Sequence, residues 1–367
     1  MRLRREHGLT AALGVSVVLA LIDLQWSYTL HYKLPQPDFY VYYLAAQIGR
    51  AQGWSAMYDP AIFLPPVSAA VGKPLPYLNP PELAWIVTPL SYLPYTLAGW
   101  IWTGILAAAL GLTWYLVAPG RGLVHLIHGV GAAALLPVFV GALFGQVSLV
   151  VVAAVAFSWW LLTHGRPWLA GLALTALILK PQLAFLVPVA LLVSGYGRVV
   201  LAWLAVSVPL GVVTLLATGT EVFHHISQSL HAVSGVPGPI QSSLLRQLPF
   251  PLAVIGIVLV LAGSTLILWR GRGSGPSLPI AVGLISSMLV SPYVNFYDLS
   301  ALVLAGWLIL RLNPPRWQKA VTLGMYVPLY GAPIWPLVTL ACLCGWLFTL
   351  AFLGRRTVAI TSQRTAA

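Results

Sequence analysis

The chain has 367 residues, 59% hydrophobic and only 7% charged, and its 19 Lys and Arg against 7 Asp and Glu give a formal net charge of +12. A water-exposed surface needs roughly a quarter or more of its residues charged, which excludes a soluble body of this size and an ordinary cytosolic enzyme with it. The bases stand singly or in twos and threes between apolar runs, so the excess is no nucleic-acid-binding face and instead marks topology.

At the N-terminus Arg2, Arg4 and Arg5 precede an apolar run that continues through Asp23, Trp26 and Tyr28 to about Leu30. With no small-residue cleavage site and enough length to span, it reads as a retained first helix. Further basic clusters fall at Arg121, Arg166, Arg198, Arg270 with Arg272, Arg311 with Arg316 and Lys319, and Arg355 with Arg356 and Arg364. Short basic loops face the cytoplasm. From Arg121 onward each interval between clusters has room for two apolar segments, which places both termini inside. Spans are expected at 9–30, 96–118, 123–141, 146–163, 167–180, 182–195, 199–218, 250–269, 278–291, 297–311, 318–332 and 334–352. A helix of about fourteen residues covers only ~21 Å of a ~30 Å hydrocarbon core. The segments meeting at Lys180-Pro181 are therefore expected to stop below the outer surface and leave a cavity. The stretch from Pro80-Pro81 to Pro94 breaks the charge parity if counted as a span, and is taken as re-entrant or interfacial. The expected fold class is an all-α polytopic membrane protein of about twelve transmembrane helices, one integral membrane domain over 1–367.

Two outer loops are long, 31–81 and 219–249. In the first, Asp38 to Gln52 reads as an amphipathic interfacial helix, preceded by Pro35 and Pro37 and stopped by Gly53. In the second, Glu221 to Ala232 reads as a similar short helix and Gly235-Val-Pro-Gly-Pro as a loop or lid. Cys342 and Cys344 lie two apart in an apolar run, on different helix faces, and read as packing residues.

Five of the seven acids, Asp38, Asp59, Glu82, Glu221 and Asp298, are expected outside, with the bases Lys33, Arg50, Lys73, Lys180 and Arg246. Ionisable groups at membrane depth are costly and mark function, so this set points to a site at the outer face. Asp38, with Tyr42 one turn on, suits a first-turn carboxylate binding backbone N–H groups and equally a general base at the mouth of a cavity. Lys180 reads either as a snorkelling lysine or as a ligand for an anion such as a lipid phosphate. Arg246 reads as a lone loop arginine or as a planar fork for phosphate. Asp298 starts a helix. Asp23 is assigned a structural role, Asp59 a turn and Glu82 a helix start; His224, His225 and His231 form a solvated face rather than a metal site.

Taken in order, these motifs resemble glycosyltransferase family 87, the polyprenol-phosphate-mannose-dependent α-mannosyltransferases of the GT-C fold class. The likeness runs over residues 30–310. It rests on Asp38-Phe-Tyr-Val-Tyr-Tyr, Gly53 and Tyr58-Asp59, then Tyr77-Leu-Asn-Pro-Pro and Pro89-Leu-Ser-Tyr-Leu-Pro-Tyr. Gly145-Gln146, Arg166-Pro, Ala170-Gly and Lys180-Pro-Gln follow, and Ser291-Pro-Tyr with Tyr297-Asp298-Leu completes it. Val147-Ser148 stands where the family often has Asn, and some members carry histidines in place of Tyr297-Asp298. The resemblance implies Asp38 as catalytic base and puts Tyr42, Gln146, Tyr297 and Asp298 in the sugar- and acceptor-binding wall. It further implies an inverting transfer of a sugar, mannose foremost, from a polyprenyl-phosphate donor to a lipid or glycan acceptor at the outer face of the cell membrane. Lys180 or Arg246 would meet the leaving phosphate. No cofactor and no metal is required, and the expected partners are donor, acceptor and membrane lipids, with no nucleic acid. A lipid-linked sugar transporter or flippase, or a lipid-linked polymer ligase, is the rival reading.

Overall fold

A computed structural model describes residues 12, 14–19, 22–23, 33–232 and 243–353. Most of the expected span at 9–30, the loop at 235–239 and the basic cluster at 355–364 lie outside the described residues. Among the described residues every regular element is helical.

Three helices are long and apolar enough to cross a membrane: Tyr95–Val117, Gly197–Thr218 and Phe250–Arg270. They start and end within two residues of the expected spans. At 1.5 Å per residue each reaches ~32–35 Å, enough for a ~30 Å hydrocarbon core. Their outward faces are frankly apolar, with Trp100 at 72% and Leu216 at 81% exposure, which suits contact with lipid tails.

The other expected spans are shorter or interrupted, and proline is the usual reason. The segment expected at 123–141 is two helices, Leu123–Ala133 and Leu136–Phe144, meeting at 59°. In one straight helix Pro137 would clash with the carbonyl four residues back, so the chain breaks before it. The segment expected at 318–332 divides into Arg316–Gly324 and Tyr326–Tyr330. Pro81–Val87 passes into the 3-10 turn Thr88–Tyr92, together far too short to span. Pro60–Val71 is a further helix inside the long outer loop expected at 31–81, with Pro65 and Pro66 within it; Asp59, expected in a turn, caps it by accepting from Ala61 N at 2.8 Å.

At the centre stands Ser277–Val290, buried around nearly its whole circumference and packed by Leu186–Val193, Ala301–Arg311, Phe250–Arg270 and Pro336–Leu350. A helix apolar all round belongs inside a larger assembly. Asp23 is buried and accepts from the Tyr330 hydroxyl.

The two ends of this bundle differ. Arg311 Nε donates to Val117 O at 2.6 Å, and Arg272 Nε donates to Val193 O at 2.9 Å; both cap the last carbonyls of helices. Arg166 and Arg198 sit at helix starts on that same end. Followed to their other ends, these helices reach Tyr95, Ser148, Lys180 and Asp298 at the opposite end of the bundle.

Candidate active site

Four interruptions in the helices meet at that opposite end. The first is the start of Pro37–Gln52, where Asp38 sits in the first turn. Gln36 before it is left-handed, φ 53 and ψ 59, uncommon for a residue with a Cβ. Its amide donates to Thr103 Oγ1 at 2.6 Å and Gly99 O at 3.3 Å, and the Tyr95 hydroxyl donates to Pro35 O at 2.6 Å. The helix Tyr95–Val117 thus fixes the turn that aims Asp38. Phe39 stacks on Trp102 with ring centroids 5.2 Å apart.

The second is Gly145-Gln146, between Leu136–Phe144 and Ser148–Thr163. Gly145 has φ 76, and a Cβ there would lie 2.6 Å from Phe39 Cβ, so only glycine satisfies both the backbone and the approach. Trp102 Nε1 donates to Gly145 O at 2.7 Å. The third is Lys180, at φ −155 between two short 3-10 turns. Pro181 excludes the α-region for the residue before it, so the helix stops and Lys180 turns inward. The fourth is the 3-10 turn Phe296–Ser300, where Asp298 Oδ2 accepts from Asn295 N at 3.1 Å.

These breaks bring Asp38, Tyr42, Gln146, Lys180, Tyr297 and Asp298 into one network. Gln146 Nε2 donates to Asp38 Oδ2. Gln146 Oε1 accepts from Lys180 Nζ at 2.7 Å and from the Tyr42 hydroxyl at 3.1 Å. Lys180 Nζ also donates to Asp298 Oδ1 at 2.5 Å and Ser148 Oγ at 3.0 Å, and Ser148 Oγ donates to Asp298 Oδ1 at 2.9 Å. The Tyr297 ring lies 5.1 Å from the ammonium, close enough for a cation–π contact. Lys180 is 3% exposed and Asp298 0%. A buried pair is sustained only when its remaining donors and acceptors are met, and here all three ammonium protons face protein oxygens. That leaves no Lys180 proton for a phosphate in this arrangement, which differs from a direct anion-binding role. Arg246 stands apart from the network, exposed in the short helix Leu244–Gln247, but its charge acts on Tyr293 together with those of Asp38 and Asp298.

Asp38 is only partly covered while its neighbours are buried, so it is the acid of the network that a ligand can reach. Burial holds its carboxyl up from the ordinary 3.8 to about 6; the Gln146 hydrogen bond and the Lys180 charge work against the rise and Asp298 adds to it. A base with that affinity is half-charged just below neutrality and can still take a proton, the condition for general-base work. Tyr42 is pushed well up by burial, then by Asp38 and Asp298, so it stays a donor. Among the described residues no three of His, Cys, Asp and Glu gather as a metal-holding group.

Asp38, Tyr42, Gln146, Lys180, Tyr297 and Asp298 are candidates from the sequence, which does not show how they are joined; Tyr293 stands there only within the Ser291-Pro-Tyr motif, and Trp102 not at all. Ser148 stands there only as a departure from a family pattern. Trp102 carries no local signal, since its partner carbonyl is 43 residues away.

Among the described residues every regular element is helical and three helices are long and apolar enough to cross a membrane, which fits a membrane protein. The model of Glycosyltransferase family 87 matches residues 77–292, more than half the chain, and the protein belongs to that family. It is accordingly a membrane glycosyltransferase. The matched residues include Gln146, Lys180 and Arg246, while Asp38, Tyr297 and Asp298 lie beyond them and rest on geometry. Neither the curated proteins nor the solved structures give a match.

Proposed function

We propose that the protein transfers a sugar, mannose foremost, from a polyprenyl-phosphate donor to a hydroxyl of a lipid or glycan acceptor, with inversion at the anomeric carbon. The observation that carries this reading is Asp38: a partly open carboxylate, held up to about 6 by burial and oriented by Gln146. Asp38 takes the proton of the acceptor hydroxyl as its oxygen bonds to the anomeric carbon. The bond from that carbon to the phosphate oxygen breaks with its electron pair, and polyprenyl phosphate leaves carrying one more negative charge. Arg246, exposed and electrostatically coupled to Tyr293 beside the site, meets that charge. Lys180 acts one step back, as a positioning residue that holds Gln146 and Asp298. Gln146, Tyr42, Tyr297 and Asp298 form the wall along which the sugar and acceptor lie.

The arginines at one end of the bundle, Arg166, Arg198, Arg272 and Arg311, suit the cytoplasmic side, and this supports the reading of a site at the outer face of the cell membrane with both termini inside. The test is transfer from radiolabelled polyprenyl-phosphate sugars into native membrane lipid extract by the purified protein. Asp38→Asn should fold normally and lose the transfer by ~10²–10⁴-fold, and Arg246→Ala should raise the donor KM. Full activity in Asp38→Asn refutes the base assignment; sugar-lipid movement across vesicles that survives it would favour a transporter.

A further inference from the structure

The central helix Ser277–Val290 ends at the site end of the bundle, and the turn after it is pinned. Ser291, before Pro292, is extended at φ −57 and ψ 137, the region proline imposes on its predecessor. The Ser291 hydroxyl donates to Tyr293 O at 3.1 Å and accepts from Tyr293 N at 3.4 Å. Beyond it, the side-chain Nδ2 of buried Asn295 donates both to the Tyr293 hydroxyl, at 3.2 Å, and to the Tyr297 hydroxyl. A phenol has one proton to give and an oxygen that accepts. Both oxygens are engaged by the same amide, and neither hydroxyl proton meets an acceptor among the described residues. Tyr297 is 6% exposed, packed between Lys180 and Phe144. Tyr293 is half-buried, so it is the phenol of this pair that a ligand can reach.

Contacts join Tyr293 to the base on one side and to Arg246 on the other. Inward, Asn295 holds Tyr297, whose ring lies 5.1 Å from Lys180 Nζ; Lys180 donates to Gln146 and Gln146 to Asp38. Outward, the helix Leu244–Gln247 packs on Phe250–Arg270 and on Ser277–Val290. A Cβ at Gly256 would lie 3.4 Å from Leu244, which fixes the height of that short helix. The two longer helices are antiparallel across the short turn between Arg270 and Ser277. The 14 residues of Ser277–Val290 rise ~21 Å from that turn, to about the level of Gly256. Arg246, two residues after Leu244, therefore stands at the height of the Ser291–Tyr293 turn. The electrostatics agree, since the charges of Asp298, Asp38 and Arg246 all act on Tyr293.

Burial pushes the Tyr293 hydroxyl up from its ordinary value, so it keeps its proton at neutral pH. The guanidinium of Arg246 and this phenol are both donors. A phosphate offers them acceptor oxygens alone, whereas a sugar hydroxyl would bring a proton that neither the guanidinium nor the already engaged phenol oxygen takes up.

We infer that Tyr293 is a further catalytic residue, whose hydroxyl, oriented by Asn295, donates a hydrogen bond to a non-bridging oxygen of the donor's phosphate beside Arg246. This rests on the reading of the donor as a polyprenyl-phosphate sugar and of Asp38 as base. When the bond from the anomeric carbon breaks, its electron pair goes to the phosphate oxygen; the phenol keeps its proton, and its hydrogen bond strengthens onto the added charge.

The probe is the leaving product, polyprenyl phosphate, which carries the phosphate and no sugar. Its inhibition constant against transfer is compared between the unaltered protein and Tyr293→Phe, which keeps the ring. That constant should rise ~10–100-fold, the worth of one hydrogen bond to a charged group, and kcat/KM for polyprenyl-phosphate mannose should fall by a similar factor. The acid limb of the pH profile should stay at about 6 and the melting temperature should change little. An unchanged inhibition constant overturns the inference. So does a rise that comes with a shifted acid limb, which would put the hydroxyl behind Asp38, or with a fallen melting temperature, which would mark a packing role. Failure of the underlying reading shows elsewhere: transfer then survives Asp38→Asn, or polyprenyl phosphate leaves the unaltered protein uninhibited, and in that second case the inference falls with it.

Discussion

Gln146 donates its side-chain N–H to Asp38 from 108 residues along the chain, and the oxygen of the same amide receives Lys180 at 2.7 Å. The amide can turn neither way without breaking one bond or the other, so the buried cation fixes which end of Gln146 faces the carboxylate. Gln146→Leu keeps the volume and removes both bonds. The charged form of Asp38 then loses its donor, which moves the carboxyl further above about 6. Transfer at neutral pH should fall ~10–100-fold, the worth of a hydrogen bond to a charged group. The acid limb of the kcat/KM profile should shift to higher pH, and a profile superimposable on the parent's would show that Gln146 only packs.

The position of Asp38 at about 6 sets the pH dependence of the whole reaction. A base must be ionised to work, so kcat/KM should fall about tenfold per pH unit below 6 and level off above it. Stability runs the other way. The folded carboxyl binds its proton more tightly than the unfolded one at 3.8, so its contribution is full below pH 3.8 and is lost as pH rises through 6. At pH 7.5 Asp38→Asn should therefore melt at or above the parent temperature while inactive, a difference that should shrink toward pH 4.5. A clear loss of stability at pH 7.5 would mean that Asp38 is a structural cap.

Hydropathy and proline carried much of this fold in the sequence. Tyr95–Val117 answers the span expected at 96–118, and Glu221–Ala232 appears with the bounds read for it. The break at Lys180-Pro181 was readable because proline acts on its neighbour's backbone, and that break is what turns Lys180 inward. Pairings across long stretches of chain were not readable. Gln146 to Asp38, or Thr214 to Glu82 at 132 residues' separation, leave no periodicity in either segment. Lys180 shows the consequence: its type and side of the bundle suggested an anion ligand, yet its three protons are taken by Gln146, Ser148 and Asp298.

The Lys180–Asp298 pair should behave as a unit. Lys180→Met strands a fully buried carboxylate, and Asp298→Asn strands a buried ammonium; removing one partner of such a pair costs ~3–5 kcal/mol. The double variant leaves neither charge unpaired and should regain a large part of the lost melting temperature, giving a strong coupling in a double-mutant cycle. Donor KM, measured alongside, separates positioning from phosphate binding. If Lys180 met the phosphate directly, the stabilised double variant would still show a weakened donor KM, whereas a positioning role predicts a fall in kcat at near-constant donor KM.

Gly145 ties the fold to the chemistry most directly. Alanine there would have to hold φ near 76 and place its Cβ 2.6 Å from Phe39 Cβ, and a residue with a Cβ in the left-handed region costs about 1 kcal/mol before any clash. Relief of the contact must move Phe39, whose ring is fixed on Trp102, or the Gly145-Gln146 turn, held by Trp102 at 2.7 Å. Phe39 is the next residue after Asp38 and Gln146 the next after Gly145, so either movement separates base from donor. A misplacement of about 1 Å at a reacting group can cost ~10²-fold. Gly145→Ala should therefore lower kcat far more than its loss of stability accounts for, with an acid limb shifted upward as in Gln146→Leu. Trp102→Phe, which keeps the stacking and removes only the indole donor, should reproduce the same shift in milder form. Parent-like pH profiles in both variants would separate the turn from the base.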